Sequence, residues 1–306
     1  MKVGVAVPGG GPPKMCRIHV NRTSSEVQAT TSLDSSASAV WTPPTGTLGV
    51  LVDDAARRAA AVASCLPALR ARAADLAPPP PFASALRDDT LRVIAEVKRA
   101  SPSKGAIAPG LDAAAQARAY ADGGAAAISV LTEPTRFGGT LEDLGAATAA
   151  VAIPVLRKDF IVAPVQLWEA RVHGAAAVLL IARALSPRDL ATLHDEARGA
   201  GLEVLVEIRD AVELARALAI GATVIGVNNR NLETLVIDPG TAPALIPHVP
   251  ANVIAIAESG MAHADDARPA QAAGADALLI GSAISAAPDP RAAVATFTHL
   301  PRVPRS

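Results

Sequence analysis

The stretch "AEVKRASPSKGAI", residues 95–107, begins like a buried strand and ends like a loop. Side chains alternate along a strand, so Glu96 and Lys98 share one face. Burying a charged group inside an apolar strand costs free energy, so such groups are expected to be paired or to have a function. The Ser-Pro-Ser-Lys-Gly that follows does not suit the interior of a sheet. The stretch therefore predicts a strand whose carboxyl end carries the charged groups of a functional site.

The same pattern recurs along the chain. Short runs rich in Val, Ile and Leu alternate with alanine-rich helical stretches, most of which end in glycine, as is typical of a helix C-terminus. The runs are "RVIAEVK" (92–98), "AAISVLT" (126–132), "IPVLRKDF" (153–160), "AAVLLIA" (176–182), "EVLVEI" (203–208), "TVIGVN" (223–228), "VIAIAES" (253–259) and "ALLIGS" (277–282).

Alternating strands and helices indicate parallel strands joined by right-handed crossovers. Eight such units over roughly 200 residues have the number and length of a (β/α)₈ TIM barrel. A doubly wound open sheet is the alternative. It would usually carry a glycine-rich fingerprint after its first strand, and "KRASPSKG" is not one. The sequence therefore predicts an α/β fold of the TIM-barrel type.

Length and composition indicate one large domain with a tail. A chain of 306 residues that is 50% hydrophobic has enough apolar material for a single barrel of this kind. Residues 1–46 are rich in Ser, Thr, Pro and Gly and lack periodicity, so they are predicted to be a disordered tail or a non-native start, since Met15 offers another beginning. Residues 47–306 are predicted to form the barrel, with an N-terminal helical extension over about residues 47–90.

Charge and composition also bear on partners. The formal net charge of −1 and the 2% aromatic content leave no basic, aromatic-rich face, so we expect no nucleic-acid partner. No apolar run is long enough to span a bilayer, so we expect no membrane partner. Cys16 and Cys65 stand apart, in no metal-ligand spacing, and fit a reducing compartment. These features together favour a cytoplasmic location.

The predicted strands share polar groups at their carboxyl ends, where TIM barrels hold their active sites. Each residue alone could be structural: an ion pair, a turn asparagine or a capping serine. A ring of polar groups on six strands, including Ser282 on the eighth, all at one end, is hard to explain as packing. The candidates for chemistry are Glu96, Lys98, Lys158, Glu207, Asn228, Glu258 and Ser259.

The segments "ESG" (258–260) and "IGS" (280–282) suggest a phosphate site. In many TIM barrels the loops after strands seven and eight bind phosphate through backbone N–H groups. Gly260 and Gly281 lack the Cβ that would block an anion. Ser259 and Ser282 can add hydroxyl donors. We therefore expect a phosphorylated small-molecule substrate. No His lies at a strand end and no metal-ligand cluster is evident, so acid–base chemistry without a metal or cofactor is predicted.

The motifs resemble those of the indole-3-glycerol-phosphate synthase family, which acts in tryptophan biosynthesis. "IAEVKRASPSKG" and "LRKDFIV" carry most of the resemblance. It continues in order over roughly residues 48–290 through "AAAISVLTEPTRFGGTLEDL", "AVLLIARAL", "VLVEI", "IGVNNRNLETL", "IAESGM" and "LLIGSAI". The departures are mild: Asn231 replaces an Asp typical of the family, and Ala163 and Val165 stand where "DFIVDPYQ" is typical. None of the three is a candidate for chemistry.

The resemblance implies a carboxy-lyase that closes, decarboxylates and dehydrates 1-(2-carboxyphenylamino)-1-deoxyribulose 5-phosphate. It implies that Lys158 is the acid in ring closure and that Glu207 is the acid–base carboxylate in dehydration, with Lys98 a competing acid. Glu96 and Glu258 would orient the ammonium groups, and Asn228 would hold Glu207 or the developing hydroxyl. The expected substrate-binding residues are Ser101, Phe160, Leu179 and Arg230, beside a phosphate site at Gly260, Gly281 and Ser282. Residues 99–109 would form a lid.

Two rival functions remain open. A phosphoribosylanthranilate isomerase-like barrel expects a Cys and an Asp at strand ends, and no Cys lies on a predicted strand. A non-catalytic barrel that only binds a phosphorylated metabolite should have lost part of the polar ring, yet the ring is complete. If the family resemblance holds, weak association with other tryptophan-pathway enzymes is a further expectation.

Overall fold

The computed structural model describes residues 41–305, which contain ten strands. They are β1 (Arg92–Val97), β2 (Ala100–Ser101), β3 (Gly105–Ala106), β4 (Ala127–Leu131), β5 (Val155–Lys158), β6 (Ala177–Ile181), β7 (Glu203–Ile208), β8 (Val224–Asn228), β9 (Ile254–Glu258) and β10 (Ala277–Ile280). Strands β2 and β3 form a separate antiparallel hairpin. The other eight close into a parallel barrel in the order β1-β10-β9-β8-β7-β6-β5-β4. The predicted TIM barrel is thereby confirmed, and an open doubly wound sheet is excluded.

The helices alternate with the barrel strands. They are α1 (Gly46–Val62), α2 (Leu66–Ala74), α3 (Phe82–Ala85), α4 (Ala113–Asp122), α5 (Leu141–Ala150), α6 (Pro164–Val172), α7 (Pro187–Gly199), α8 (Ala211–Ala219), α9 (Thr241–Leu245), α10 (Arg268–Ala272), α11 (Ser282–Ser285) and α12 (Pro290–Ala295). Side-chain oxygens of Asp112, Thr140, Ser186 and Asp210 cap α4, α5, α7 and α8 by accepting backbone N–H groups of the first turn. Local sequence thus fixes where several helices begin.

The N-terminal extension consists of α1 and α2, joined by a 3₁₀ turn at Ala63–Cys65 just before Pro67. Its apolar face is buried, with Leu48 and Leu51 almost fully covered. The expected helical extension is therefore present. Most of the predicted 1–46 tail, residues 1–40, lies outside the described residues.

The described end of that tail, residues 41–45, contacts the barrel. Trp41 Nε1 donates to the carbonyl of Arg183 at 3.2 Å, and Arg183 Nη1 donates to the carbonyl of Thr42 at 2.8 Å. The backbone N–H of Thr45 donates to Glu233 Oε1 at 2.7 Å. The tail was predicted to continue to residue 46, whereas residues 41–45 are held against the barrel by these hydrogen bonds.

The expected lid is the β2–β3 hairpin and its flanks. Its base is fixed by Arg99, whose Nη2 donates to Asp143 Oδ1 at 2.7 Å and to the carbonyl of Leu111 at 2.8 Å. The backbone N–H of Ala100 donates to the carbonyl of Phe137 at 3.2 Å. Hydrogen bonds therefore hold both ends of the segment in place, while Ser103 and Lys104 at its tip are exposed.

The amino ends of the strands are covered by the last described residues. Leu91 N donates to the carbonyl of Leu300 at 2.8 Å. Arg305 Nη2 lies 2.8 Å from Asp276 Oδ2, and both side chains are almost fully buried. This end of the barrel is thus closed by packing and ion pairs, which leaves the opposite end for the site. None of the helices in residues 41–305 has the length and apolar character needed to cross a bilayer.

Candidate active site

A cavity of about 310 Å³, called the first cavity below, opens at the carboxyl ends of the barrel strands. Thirteen of the fourteen site residues proposed from the sequence line it, and the fourteenth, Glu258, lies beneath them. The thirteen are Glu96, Lys98, Ser101, Lys158, Phe160, Leu179, Glu207, Asn228, Arg230, Ser259, Gly260, Gly281 and Ser282. The structure therefore brings the predicted residues together around one cavity.

The floor of the first cavity is a cluster of charged groups around Lys158. Its ammonium nitrogen lies 3.7 Å from Glu96 Oε2 and 3.4 Å from Glu258 Oε2. It is also 3.7 Å from Glu207 Oε2. Lys98 Nζ is 2.5 Å from the other oxygen of Glu96. Three carboxyl groups thus share two ammonium groups, and all five side chains are mostly buried.

This ratio of charges governs the protonation of the cluster. Burial lowers the pKa of Lys158, but the charges of Glu258, Glu96 and Glu207 outweigh it and raise the pKa above its usual value. Burial acts to raise the pKa of Glu96, and Lys98 and Lys158 reverse that effect, so the pKa is lowered. Lys158 and Glu96 are therefore well placed to remain charged.

Glu258 behaves differently from Glu96. Burial raises the pKa of Glu258 to about 8, Lys158 opposes the rise, and Glu207 and Glu96 add to it. Its side chain is 1% exposed. Among the described residues, neither carboxyl oxygen has a hydrogen-bond partner. Two ammonium groups do not fully balance a third carboxylate, which is why the pKa of this carboxyl group is raised.

Glycine residues provide the space that this cluster needs. A Cβ on Gly226 would collide with Glu258 Oε1. A Cβ on Gly281 would collide with Glu96 Oε1 and would lie 2.7 Å from Lys98 Nζ. The sequence pattern suggested only a phosphate role for Gly281. The structure adds a second one, because the absence of a side chain there leaves room for the Glu96–Lys98 ion pair.

One wall of the first cavity is apolar. Phe160 and Leu179 line it, as the sequence predicts. Phe137 lies beside Phe160 with ring centroids 6.1 Å apart, and Leu51 of α1 also contributes. An aromatic ring fits between such groups. Sequence reasoning missed Phe137 and Leu51 because neither lies at the carboxyl end of a strand.

The polar rim is held by short-range hydrogen bonds. Asn228 Oδ1 accepts from the backbone N–H of Arg230 at 2.9 Å, which aligns the loop after β8. Arg230 Nη1 donates to the carbonyl of Leu235 at 3.0 Å. Ser101 Oγ accepts from the backbone N–H of Lys104 at 3.2 Å, within the hairpin. These contacts fix the rim side chains before any ligand binds.

The proposed phosphate end has an unusual backbone. Ser259 has a φ of 65° and Gly260 a φ of 85°, so two successive residues adopt the left-handed conformation. Such a conformation is strained for a serine and often marks functional sites. Gly281 and Ser282 face the same cavity at the start of α11. The four residues proposed from the sequence therefore line one end of the cavity.

A second buried network supports Lys158 from outside the barrel. Asp159 accepts from Arg157 Nη2 at 2.9 Å and from Arg58 Nη2 of α1 at 3.0 Å. Arg58 also reaches Glu133 Oε1 at 3.4 Å. Asp159 was not among the candidates identified from the sequence. Strand alternation could have identified it, because Arg157 and Asp159 flank Lys158 and share the opposite face.

Among residues 41–305, no group of three His, Cys, Asp or Glu side chains is arranged to hold a metal ion.

Comparison with known proteins identifies relatives over most of the chain. Residues 54–297 match the family described as Indole-3-glycerol phosphate synthase. A protein of that name from Mycobacterium sp. (strain KMS) is 51% identical over 247 residues, which cover 81% of this chain and 90% of that protein. Indole-3-glycerol phosphate synthase 1 of Streptomyces coelicolor is 50% identical over 241 residues, covering 79% of this chain and 89% of its own length.

Solved structures show the same fold at low identity. The 3-hexulose-6-phosphate synthase from Salmonella typhimurium superposes with a TM-score of 0.55 at 16% identity, covering 68% of this chain and 96% of its own. Thiamine phosphate pyrophosphorylase from Pyrococcus furiosus superposes with a TM-score of 0.53 at 18% identity, covering 69% and 95%. These likenesses support the barrel alone. The sequence matches go further, and the chain belongs to the indole-3-glycerol phosphate synthase family.

Proposed function

We propose that this protein converts 1-(2-carboxyphenylamino)-1-deoxyribulose 5-phosphate to indole-3-glycerol phosphate, CO₂ and water. The observation that carries the proposal is the Lys158 ammonium group, held by three carboxyl groups at the floor of a cavity with an apolar wall. The family relationship supports the same reaction. Acid–base groups, an aromatic-lined wall and a phosphate end are the three features that this substrate requires.

Ring closure needs a proton donor at the substrate ketone. The ring carbon that bears the carboxylate attacks the ketone carbon, and the ketone oxygen takes a proton from Lys158. Loss of CO₂ then restores the aromatic ring. The apolar wall formed by Phe160 and Leu179 favours this step, because it holds the ring while the carboxylate is turned out of its plane.

Dehydration needs a second acid and a base. The hydroxyl group formed in ring closure leaves as water after taking a further proton. Glu207 accepts the proton that is released from nitrogen or carbon. Lys98 and Lys158 both line the cavity within the same carboxylate cluster, so either can supply the proton to the leaving hydroxyl. Glu96 and Glu258 keep the two ammonium groups in position.

Binding uses the remaining residues. We assign the phosphate to the backbone N–H groups and hydroxyls around Ser259, Gly260, Gly281 and Ser282. We assign the substrate carboxylate to the Lys98 and Ser101 side of the cavity, with Arg230 as a further positive group at the rim. A cytoplasmic location and weak association with other tryptophan-pathway enzymes are parts of the same proposal.

The test is to incubate the purified protein with the carboxyphenylamino-deoxyribulose phosphate and to follow the fluorescence of the indole product. Lys158→Met should lower turnover by about 10²–10⁴-fold, the usual contribution of a positioned acid. Arg188→Gln, which removes an exposed positive charge on α7, should have no effect. Absence of product with the unmodified protein, or normal turnover in Lys158→Met, would contradict the proposal.

The same preparation separates the rival functions. Conversion of phosphoribosylanthranilate in place of the expected substrate would favour an isomerase-like barrel. Saturable binding of the substrate without any product would favour a non-catalytic binding protein.

A further inference from the structure

A second cavity of about 120 Å³ lies on the far side of Glu207. Five residues line both cavities and form the wall between them: Ile181, Glu207, Asn228, Arg230 and Leu232. Its other walls come from α1, the turn after β6, the segment from the end of β7 to the start of α8, and the loop after β8. It is large enough to hold several water molecules, and its polar lining can form hydrogen bonds with them.

Glu213 of α8 lines the second cavity and is 5% exposed. Its Oε2 accepts from the backbone N–H of Arg209 at 2.7 Å, just before the helix. The same structural task is done in α6 by an amide: Gln166 Oε1 accepts from Val162 N at 2.8 Å and Ala163 N at 3.1 Å. The capping position therefore does not require a carboxyl group, and the acid at 213 calls for another explanation.

The surroundings of Glu213 let it exchange a proton near neutral pH. Burial raises the pKa of Glu213 to about 7, the charges of Asp210 and Glu207 add to the rise, and the Arg209 N–H and the Arg216 charge oppose it. The other charged groups that line the second cavity are Arg183, Arg209, Arg230 and Glu233. Asp210 also lines it and is exposed, so the cavity reaches solvent on that side.

The proposed reaction creates a need for such a group. Two protons are added to the oxygen that leaves as water, and only one is returned from nitrogen or carbon. Each turnover therefore takes up one proton from solvent, because the substrate carboxylate departs as neutral CO₂. When substrate fills the first cavity, it separates Glu207 from the cavity mouth. Glu207 Oε2 is buried and, within residues 41–305, has no hydrogen-bond partner.

We propose that Glu213 is a proton-relay residue that connects Glu207 to solvent through the second cavity. The inference rests on the proposed function, and Glu213 acts through Glu207 without touching the substrate. In the transfer toward the site, the O–H bond of the Glu213 carboxylic acid breaks and, through intervening water, an O–H bond forms on the Glu207 carboxylate. Solvent then reprotonates Glu213. Glu207 passes the proton to the Lys158 amine, whose nitrogen lies 3.7 Å from Glu207 Oε2, and this restores the ammonium group.

The test uses three variants of Glu213, one control variant, and single-turnover kinetics of indole formation in H₂O and D₂O. Glu213→Gln keeps the hydrogen-bond acceptor for the Arg209 N–H but cannot carry the proton. We expect its single-turnover rate constant to fall about 10-fold, less than the loss of a direct acid–base group, with an unchanged KM and a larger solvent isotope effect. Glu213→Asp should retain most of the rate. Asp189→Asn, at an exposed cap position of α7, should match the unmodified enzyme.

Rescue distinguishes a relay from a structural role. Glu213→Ala leaves space beside the second cavity, and added formate should restore part of its rate because formate can carry the proton. An unchanged rate and isotope effect in Glu213→Gln would overturn the relay, as would a slower variant that responds to neither D₂O nor formate. If Glu213→Gln does not fold, the same measurements on Glu213→Asp and Glu213→Ala decide. An unmodified enzyme that forms no indole product would instead overturn the proposed function itself.

Discussion

Replacing Gly281 with alanine tests whether this glycine makes room for the Glu96–Lys98 ion pair. An ideal Cβ at this position would lie 2.7 Å from Lys98 Nζ and closer still to Glu96 Oε1. Favourable contact between such atoms begins at about 3.5 Å, so the pair has to move by about 1 Å. The two side chains are 13% and 4% exposed, so they have little free space to move into.

Both stability and turnover should respond. We expect the free energy of unfolding to fall by about 1–3 kcal/mol, as is typical of overpacked sites. We expect kcat to fall by about 10²-fold, because a displacement of about 1 Å can cost that much. A glycine that served the phosphate alone would behave differently: the phosphate is remote from the bonds that change, so KM would rise while kcat stayed nearly constant.

The measurements are steady-state kinetics of indole formation and denaturant unfolding. The matched control is Gly199→Ala at the end of α7, where an added Cβ meets nothing within 4 Å. That change should leave kinetics unaltered and stabilise the protein by about 0.4–1 kcal/mol, since alanine restricts the unfolded chain. Unchanged kcat with a raised KM in Gly281→Ala would refute the steric reasoning and leave only the phosphate role.

Three further changes test other parts of the structure. Because the folded pKa of Glu258 is raised to about 8, its contribution to stability is complete below about pH 4.5 and is lost as pH rises through 8. Denaturant unfolding at pH 5 and pH 8 should show that the free energy of unfolding falls by up to about 1.4 kcal/mol per pH unit, and that the fall is smaller in Glu258→Gln. Equal pH dependence in the two proteins would argue against the raised pKa. Arg58→Ala removes the ion pairs that link α1 to Asp159 and Glu133. We expect the free energy of unfolding to fall by about 1–3 kcal/mol and kcat to be reduced, as measured by denaturant unfolding and product fluorescence. A variant with unchanged stability and normal kcat would show that α1 does not position β5. A chain that begins at Trp41 should have the same melting temperature as the full chain. A chain that begins at Thr47 should have a lower melting temperature, because it lacks the contacts with Arg183 and Glu233. Equal melting temperatures for the two shortened chains would support the tail boundary predicted from the sequence.

Regular alternation made most of the barrel predictable. The strand over residues 203–208 was placed at its observed limits, and the others were extended by one to four residues. The errors share a cause: the side chains just beyond a strand continue its sequence pattern, although the backbone there no longer pairs with a neighbouring strand. The largest case is the segment from 153 to 160, where the ladder covers only Val155–Lys158.

A site residue could be predicted from the sequence where its position at the carboxyl end of a strand was enough to identify it. Glu96 and Lys158 are examples, because barrel geometry places every strand end at one rim. The space provided by Gly226 and Gly281 could not be predicted, since it depends on side chains from other strands that reach across the barrel. The link from Arg58 to Asp159 was missed for a similar reason: their helix and strand are about 100 residues apart in the chain.

The pairing of β1 with β10 has a consequence for the synthesis of the protein. Arg92 lies opposite Ala277, so one edge of β1 cannot pair until almost the whole chain has been synthesised. Until then, a growing polypeptide on the ribosome presents unpaired backbone groups along β1, a surface that favours association between incomplete chains. Conditions that slow translation of residues 277–280 should therefore increase aggregation of nascent chains, even though the finished barrel has no free edge.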